Sequence, residues 1–360
     1  MTPAQLLTRK EARRIALQSG FRRAPSVAAA LQQLGVVQLD AIPAVCHSHK
    51  LTLAARCPEV GAVGIDDALW GLHQKLCFEY PAHAAAIVPI HDWPLWGFRR
   101  RSTAAQNYDW APTAEQRQTL RSVLDVDGPL TMRELNRGKT PGQGWAWSPT
   151  KLAVEHMVWT GDLAVVQRRG WNRVFDLAER VIPPAALDQM IDDRECVRRL
   201  IARAGAALGL ATVDEYADYI RTTRAAAAAA MTANGLVNVA VEGRHEQYWA
   251  DPAALSQETS EPSEPFLVGP FDNLVWNRKR VKRLFGVDLV LEAYKPVEQR
   301  KYGYFVMPLF VGDEIVGRFD VSTEAGDIVV VQSHFESSTY SLKSEEVINA
   351  LDALRDAALG

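Results

Sequence analysis

An amide and a carboxylate two residues apart, Gln38 and Asp40, end the run Leu34-Gly35-Val36-Val37-Gln38-Leu39-Asp40-Ala41-Ile42. Gly35 closes a helical stretch from Ser26 to Leu34, and the β-branched residues after it read as extended chain. Residues two apart in an extended segment point the same way, so Gln38 and Asp40 project together and Leu39 faces the other side. Such a pair can hold one water molecule and polarise it, the carboxylate as base and the amide as guide. The plainer alternative is a strand end with two solvated polar side chains.

The elements that must position this pair belong to an ordinary globular composition. Across 360 residues, 48% hydrophobic and 23% charged content predicts two to four compact units. No run approaches the ~18 apolar residues of a membrane span. The first residues, Met1 to Glu11, carry no apolar signal core, so the expected location is the cytoplasm. Cys46, Cys57, Cys77 and Cys196 follow no C-x-x-C pattern and read as free or buried thiols. His47-Ser48-His49 is a weak metal signal without a partner ligand at suitable spacing, and neither metal nor cofactor is expected. A net charge of −3 does not advertise nucleic-acid binding, but Arg278-Lys279-Arg280-Val281-Lys282-Arg283 is a dense basic patch, and local patches govern phosphate contact.

One pattern occurs twice in the middle of the chain. Ala114 to Leu124 reads as a helix, Thr131 caps a second (Met132 to Arg137) with Glu134 at capping-box spacing, and Ser148-Pro149 opens a third through Thr160. Gly161 stops it, and Leu163 to Gln167 and Asn172 to Leu177 alternate as a hairpin. The second copy, about Asp192 to Ala250, has a helix carrying Leu200 and Ile201, a helix capped by Thr212, an alanine-rich helix from Thr223, and a hairpin around Glu242-Gly243-Arg244. Three helices and a two-stranded wing is the winged-helix arrangement. A looser third copy is expected at the start, with helices at Thr8 to Leu17, Ser26 to Leu34 and Asp66 to Leu76.

Strands follow at Val287 to Tyr294, Tyr302 to Phe310, Glu314 to Val321 and Ile328 to Gln332, and then a helix from Ser344 to Leu359. The expected fold is α+β: tandem winged-helix (helix-turn-helix) domains over 1–110, 111–185 and 186–255, then a small β-barrel-like domain over 264–360.

Several separated motifs together resemble one family. They are Glu11 to Leu17, Leu34 to Asp40, Phe78-Glu79-Tyr80 with His83, Pro270 to Arg280, Leu284-Phe285-Gly286, Glu292 to Pro296, Arg300 to Tyr304 and Val316 to Asp320. In this set and order the chain resembles the winged-helix DNA glycosylases of the YcaQ/AlkZ type. Gln38-Leu39-Asp40 is similar to the Gln-x-Asp form of the family's catalytic motif, the YcaQ-like branch. The chain departs from the family pattern at Ala41, Cys46, Pro81 and Ser322.

The resemblance implies a monofunctional glycosylase, acting as a monomer on double-stranded DNA, that removes alkylated (N7-substituted) purines. In some members it extends to unhooking interstrand crosslinks. Gln38 and Asp40 would be catalytic. The DNA-binding set would be His47, His49, Lys50, Tyr80, His83, Arg278, Lys279, Arg280, Lys282, Arg283, Arg300, Lys301 and Arg318. The competing reading is a non-catalytic winged-helix protein that binds DNA or regulates.

Overall fold

The computed structural model describes residues 5–71, 75–137, 148–258, 262 and 264–359. The chain divides into two compact units, one built from residues 1–67 with 198–360, the other from 68–197.

In the 68–197 unit, Cys77–Tyr80 and Ala86–Pro89 form an antiparallel hairpin that leads into a 3-10 turn and a short helix, Gly97–Ala104. Three helices follow: Ala114–Asp127, Met132–Leu135 and Pro149–Thr160. The capping box at Thr131 and Glu134 is present, and one at Thr113 and Gln116 starts the first helix. Ser148 caps the third helix with Pro149 in its first turn, and Gly161, at φ 85°, ends it in the left-handed conformation that glycine tolerates. Strands Leu163–Arg169 and Asn172–Leu177 pair antiparallel, and Leu130–Thr131 adds a third on the Asn172–Leu177 edge. Leu120, Leu124, Val154, Met157, Leu163 and Phe175 fill the core between helices and sheet.

The same order recurs at Asp193–Leu208, Val213–Tyr219 and Arg224–Ala233, followed by paired strands Val237–Val241 and Tyr248–Ala250. Here Leu210–Ala211 completes one side of the sheet, and Gln5–Leu7 joins the other as a parallel strand. Leu7 is thereby buried in a core with Ile15, Val239, Val241 and Tyr248.

The start of the chain differs from expectation. Helices Arg9–Gly20 and Val27–Leu34 form, but a third, Ser48–Ala54, lies in a stretch with no strong cap signal, since His47 caps it without a side-chain hydrogen bond. The helix expected from Asp66 to Leu76 starts earlier and runs Gly61–Trp70; residues 72–74 of that expectation lie outside the described residues.

Near the C-terminus, Phe266–Leu267, Val306–Val311, Glu314–Glu324 and Asp327–Phe335 form an antiparallel sheet in chain order. Phe266–Leu267 and Asp327–Phe335 are its two edges, so the sheet is open where a barrel was expected. The Glu345–Leu359 helix buries Val347, Ala350 and Leu354 with Phe305, Met307 and Phe319 in one core. Val287 to Tyr294 is not a strand. Val287, Leu289 and Ala293 alternate into the core as the pattern suggested, but the backbone joins no ladder.

Candidate active site

Gly35, at φ 71°, turns the chain out of the Val27–Leu34 helix. Val36 and Val37 are then buried, and polar groups elsewhere in the same unit fix the backbone around them. The Tyr219 hydroxyl donates to the Leu34 carbonyl at 2.8 Å, and Asn273 Nδ2 donates to the Val36 carbonyl at 2.7 Å. Beyond this anchor Leu39 is buried while Gln38 and Asp40 are half-buried, the alternation an extended segment produces.

Ser48, the first residue of the Ser48–Ala54 helix, ties the motif together. Its hydroxyl donates to the Gln38 carbonyl and accepts from the Asp40 N–H, each at 2.8 Å. A single side chain thus spans the backbone of both candidate residues and fixes their spacing. Asp40 Oδ1 accepts from the Ile42 N–H at 2.9 Å. Among the described residues, nothing donates to Oδ2 or bonds to the Gln38 side-chain amide, so both are available to a substrate or water. Burial raises the Asp40 carboxyl pKa above its ordinary value, outweighing the Ile42 hydrogen bond that lowers it.

The next turn is an ion-pair cluster. His49 is buried, with Nε2 2.9 Å from Asp66 Oδ1, and Lys50 Nζ is 2.7 Å from Asp66 Oδ2. Burial pushes the Asp66 carboxyl up, but the hydrogen bonds and charges of His49 and Lys50 outweigh it and hold it below the usual range. His47 and His49 stack at 6.2 Å between ring centroids, with His47 the less buried of the two. Burial drives the Cys46 thiol up to about 12, so it is un-ionised at neutral pH.

Many residues expected to face DNA are turned inward. In the 68–197 unit Tyr80 is buried and donates its hydroxyl to the Trp159 carbonyl at 3.1 Å, and His83 is buried. Beside them Glu79 takes a two-pronged pair from Arg168 at 2.6 and 2.8 Å.

The basic run is the Arg278–Phe285 helix, capped by Asn277, and most of its charge is spent inside the other unit. Arg278 donates to the Val275 and Pro270 carbonyls, and burial lowers its pKa to about 10. Arg280 is buried, with bonds to the Leu210 and Leu208 carbonyls and to Glu215. Arg283 also pairs with Glu215, and Lys282 pairs with Asp288 at 2.8 Å. Lys279 is exposed. Arg318 is buried against Glu336, its guanidinium 3.8 Å from the Tyr302 ring centroid. Arg300 bonds to the Lys295 carbonyl and lies over Tyr304, while Lys301 is exposed beside Tyr302. Of the side chains expected to face DNA, His49, Tyr80, His83, Arg280 and Arg318 are buried. A buried side chain already committed to protein partners has no surface to offer a phosphate.

The AlkZ-like DNA glycosylase family model matches residues 31–357. The chain belongs to the AlkZ-like DNA glycosylase family. The AlkZ DNA glycosylase of Streptomyces sahachiroi has a similar fold, with a TM-score of 0.68 at 17% identity over 98% of this chain and 97% of that one. This AlkZ-like protein is thus a DNA-repair hydrolase that acts on N-glycosyl bonds, and DNA is its substrate.

Three supporting residues of this AlkZ-like chain carried no role in the sequence: Ser48, Asp66 and Asn273. Asn273 appeared there within the Pro270 to Arg280 block, Ser48 between two histidines and Asp66 as a helix start. The adjacent Asp272 completes the support. It forms a fully buried pair with Arg56, which also donates to the Gly20 and Thr52 carbonyls.

Proposed function

We propose that this enzyme is a monofunctional glycosylase for N7-alkylated purines in duplex DNA, with Gln38 and Asp40 as its catalytic pair. The supporting observation is the Ser48 bridge, which fixes the two residues while leaving the Gln38 amide and Asp40 Oδ2 unengaged. An N7-alkylated purine is cationic and already a good leaving group. The enzyme has mainly to stabilise an oxocarbenium-like sugar and deliver water to it. Asp40 places negative charge beside the developing cation and accepts the proton of the attacking water, and Gln38 orients that water. The raised Asp40 pKa makes it a stronger base than a solvated carboxylate. Water is the nucleophile, so the product is an abasic site in an intact strand.

The two repeats of three helices and a hairpin act in this reading as winged-helix modules that engage duplex DNA. The enzyme works as a monomer, and crosslinks joined through purine N7 fall within its chemistry, because each arm is the same kind of cationic leaving group.

The test is base release from a duplex carrying a single N7-methylguanine. Wild type is expected to release the base, with Gln38→Ala and Asp40→Asn each slower by about 10²–10⁴. Variants that keep the wild-type rate would overturn the assignment of the pair. A nitrogen-mustard crosslink, run beside it, reports whether unhooking is within range.

A further inference from the structure

The segment from Glu292 to Tyr304 holds an aromatic surface that neither catalytic residue explains. Tyr294 is 77% exposed, unusual for a large aromatic ring, and Val297 at 73% and Tyr304 at 38% lie on the same stretch. This stretch is tightly held. Buried Glu292 accepts from the Tyr302 N–H at 2.7 Å and pairs with Lys295 at 2.8 Å. Asp320 accepts from the Tyr304 and Phe305 N–H groups at 2.9 and 2.7 Å. Gly303, at φ 128°, lets the chain pass so close to Asp320 that a Cβ there would overlap the carboxylate.

The stretch also lies beside the candidate pair. Ala293 is packed in one core with Ile42 and Val45, two and five residues beyond Asp40, and Ile42 is the residue whose N–H binds the Asp40 carboxylate. Partial desolvation holds the Tyr294 phenol above its ordinary pKa, and the charges of Asp40 and Tyr304 add to the rise.

The neighbouring rings show what such faces accept. Arg300 lies 4.9 Å from the Tyr304 centroid, and Lys301 and Arg318 lie 4.8 and 3.8 Å from that of Tyr302. Tyr294 alone of the three carries no protein cation among the described residues. An electron-rich ring face attracts a delocalised cation, and a carboxylate close by strengthens the attraction.

We propose that Tyr294 is the stacking platform for the alkylated base, its ring face taking the cationic purine whose glycosidic bond is hydrolysed by the water that Asp40 and Gln38 direct. This rests on the glycosylase reading above and adds the residue that selects the base. Stacking on an aromatic residue is worth about 1–3 kcal/mol per base, a factor of roughly 5–150.

The experiment measures single-turnover release of N7-methylguanine from duplex DNA by wild type and by Tyr294→Ala, Tyr294→Phe and Tyr294→Trp, with binding to an unmodified duplex and thermal melting alongside. Tyr294→Ala is expected to lose about 10–100-fold in release while melting and unmodified-duplex binding hold. Tyr294→Phe and Tyr294→Trp are expected to stay within about threefold of wild type. Release by Tyr294→Ala at the wild-type rate overturns the inference. Equal losses in Tyr294→Phe and Tyr294→Ala also overturn it, because the hydroxyl and not the ring face would then be what counts. A wild-type enzyme that releases no base overturns the parent reading, and this inference with it; an active wild type matched by Tyr294→Ala overturns this inference alone.

Discussion

Taking Asp40 partly out of water makes its carboxylate a better base and a less comfortable one. Its folded pKa lies above the unfolded value of about 3.9, so the native state holds the proton more tightly than the unfolded chain does. The sign follows. As pH rises from the unfolded pKa through the folded one, this group's contribution to stability falls, and its cost is fully present at neutral pH. Asp40→Asn keeps an oxygen for the Ile42 N–H and removes the charge. The variant is expected to melt above wild type at pH 7, with the gap closing as pH drops through the raised folded pKa toward about 4. Its acid limb makes the complementary point: wild-type kcat/KM should fall with a midpoint above the usual carboxylate range. Thermal melts of both proteins across pH, beside a pH–rate profile, check the two halves separately. A variant less stable than wild type at pH 7 would show that the charge is well solvated.

At the scale of elements, the Arg278–Phe285 helix shows why a count of charges does not locate an interface. Lys279 and Arg280 are adjacent, yet one is exposed and the other sits against Glu215, 65 residues away in sequence. Arg280→Ala leaves Glu215 with Arg283 alone and strips two carbonyls of their donor. It is expected to cost about 1–3 kcal/mol of stability with little change in the salt dependence of DNA binding. Lys279→Ala and Lys301→Ala should do the reverse, each lowering the slope of log K against log salt by about 0.9 where it meets a phosphate. Urea unfolding and salt-titrated binding separate the two classes.

The same locality explains what the sequence revealed. Helices capped by Thr131 and Thr212 were legible because a cap is a three-residue affair. Gln38 and Asp40 stood out because two-residue spacing is meaningful in extended chain. Ser48 did not, since its bonds reach back eight and ten residues across a helix start that has no side-chain cap. Val287 to Tyr294 misled because alternation reports which residues are buried and not whether the backbone finds a partner strand. The open edges of the last sheet were hidden for the same reason.

On the scale of the molecule, the candidate pair belongs to a unit assembled from both ends of the chain. Arg56 and Asp272 are fully buried, and together with the Gly20 and Thr52 carbonyls they join the early helices to the later block. Removing one partner strands a charge without water. Asp272→Ala is expected to lose about 3–5 kcal/mol, whereas replacing both partners with apolar residues of similar size should recover much of that. Equilibrium unfolding of the single and double variants decides it; a double variant as unstable as the single one would mean the pair sets geometry beyond its charge balance.

That assembly also sets a timetable. On the ribosome, Gln38 and Asp40 emerge early, but Asn273, which clamps the Val36 carbonyl, and Asp272, which neutralises Arg56, follow more than 200 residues later. At about 5–20 residues per second the delay is roughly 10–40 s. Residues 68–197, a compact unit of the fold, are complete well within that interval. The nascent first segment cannot complete its core, because Ile42, Val45 and Leu51 pack with Leu267, Phe305 and Met307 from the far end. A glycosylase built this way has its candidate pair unassembled while it is still being made, and the same waiting segment is where a nascent-chain chaperone would find its grip.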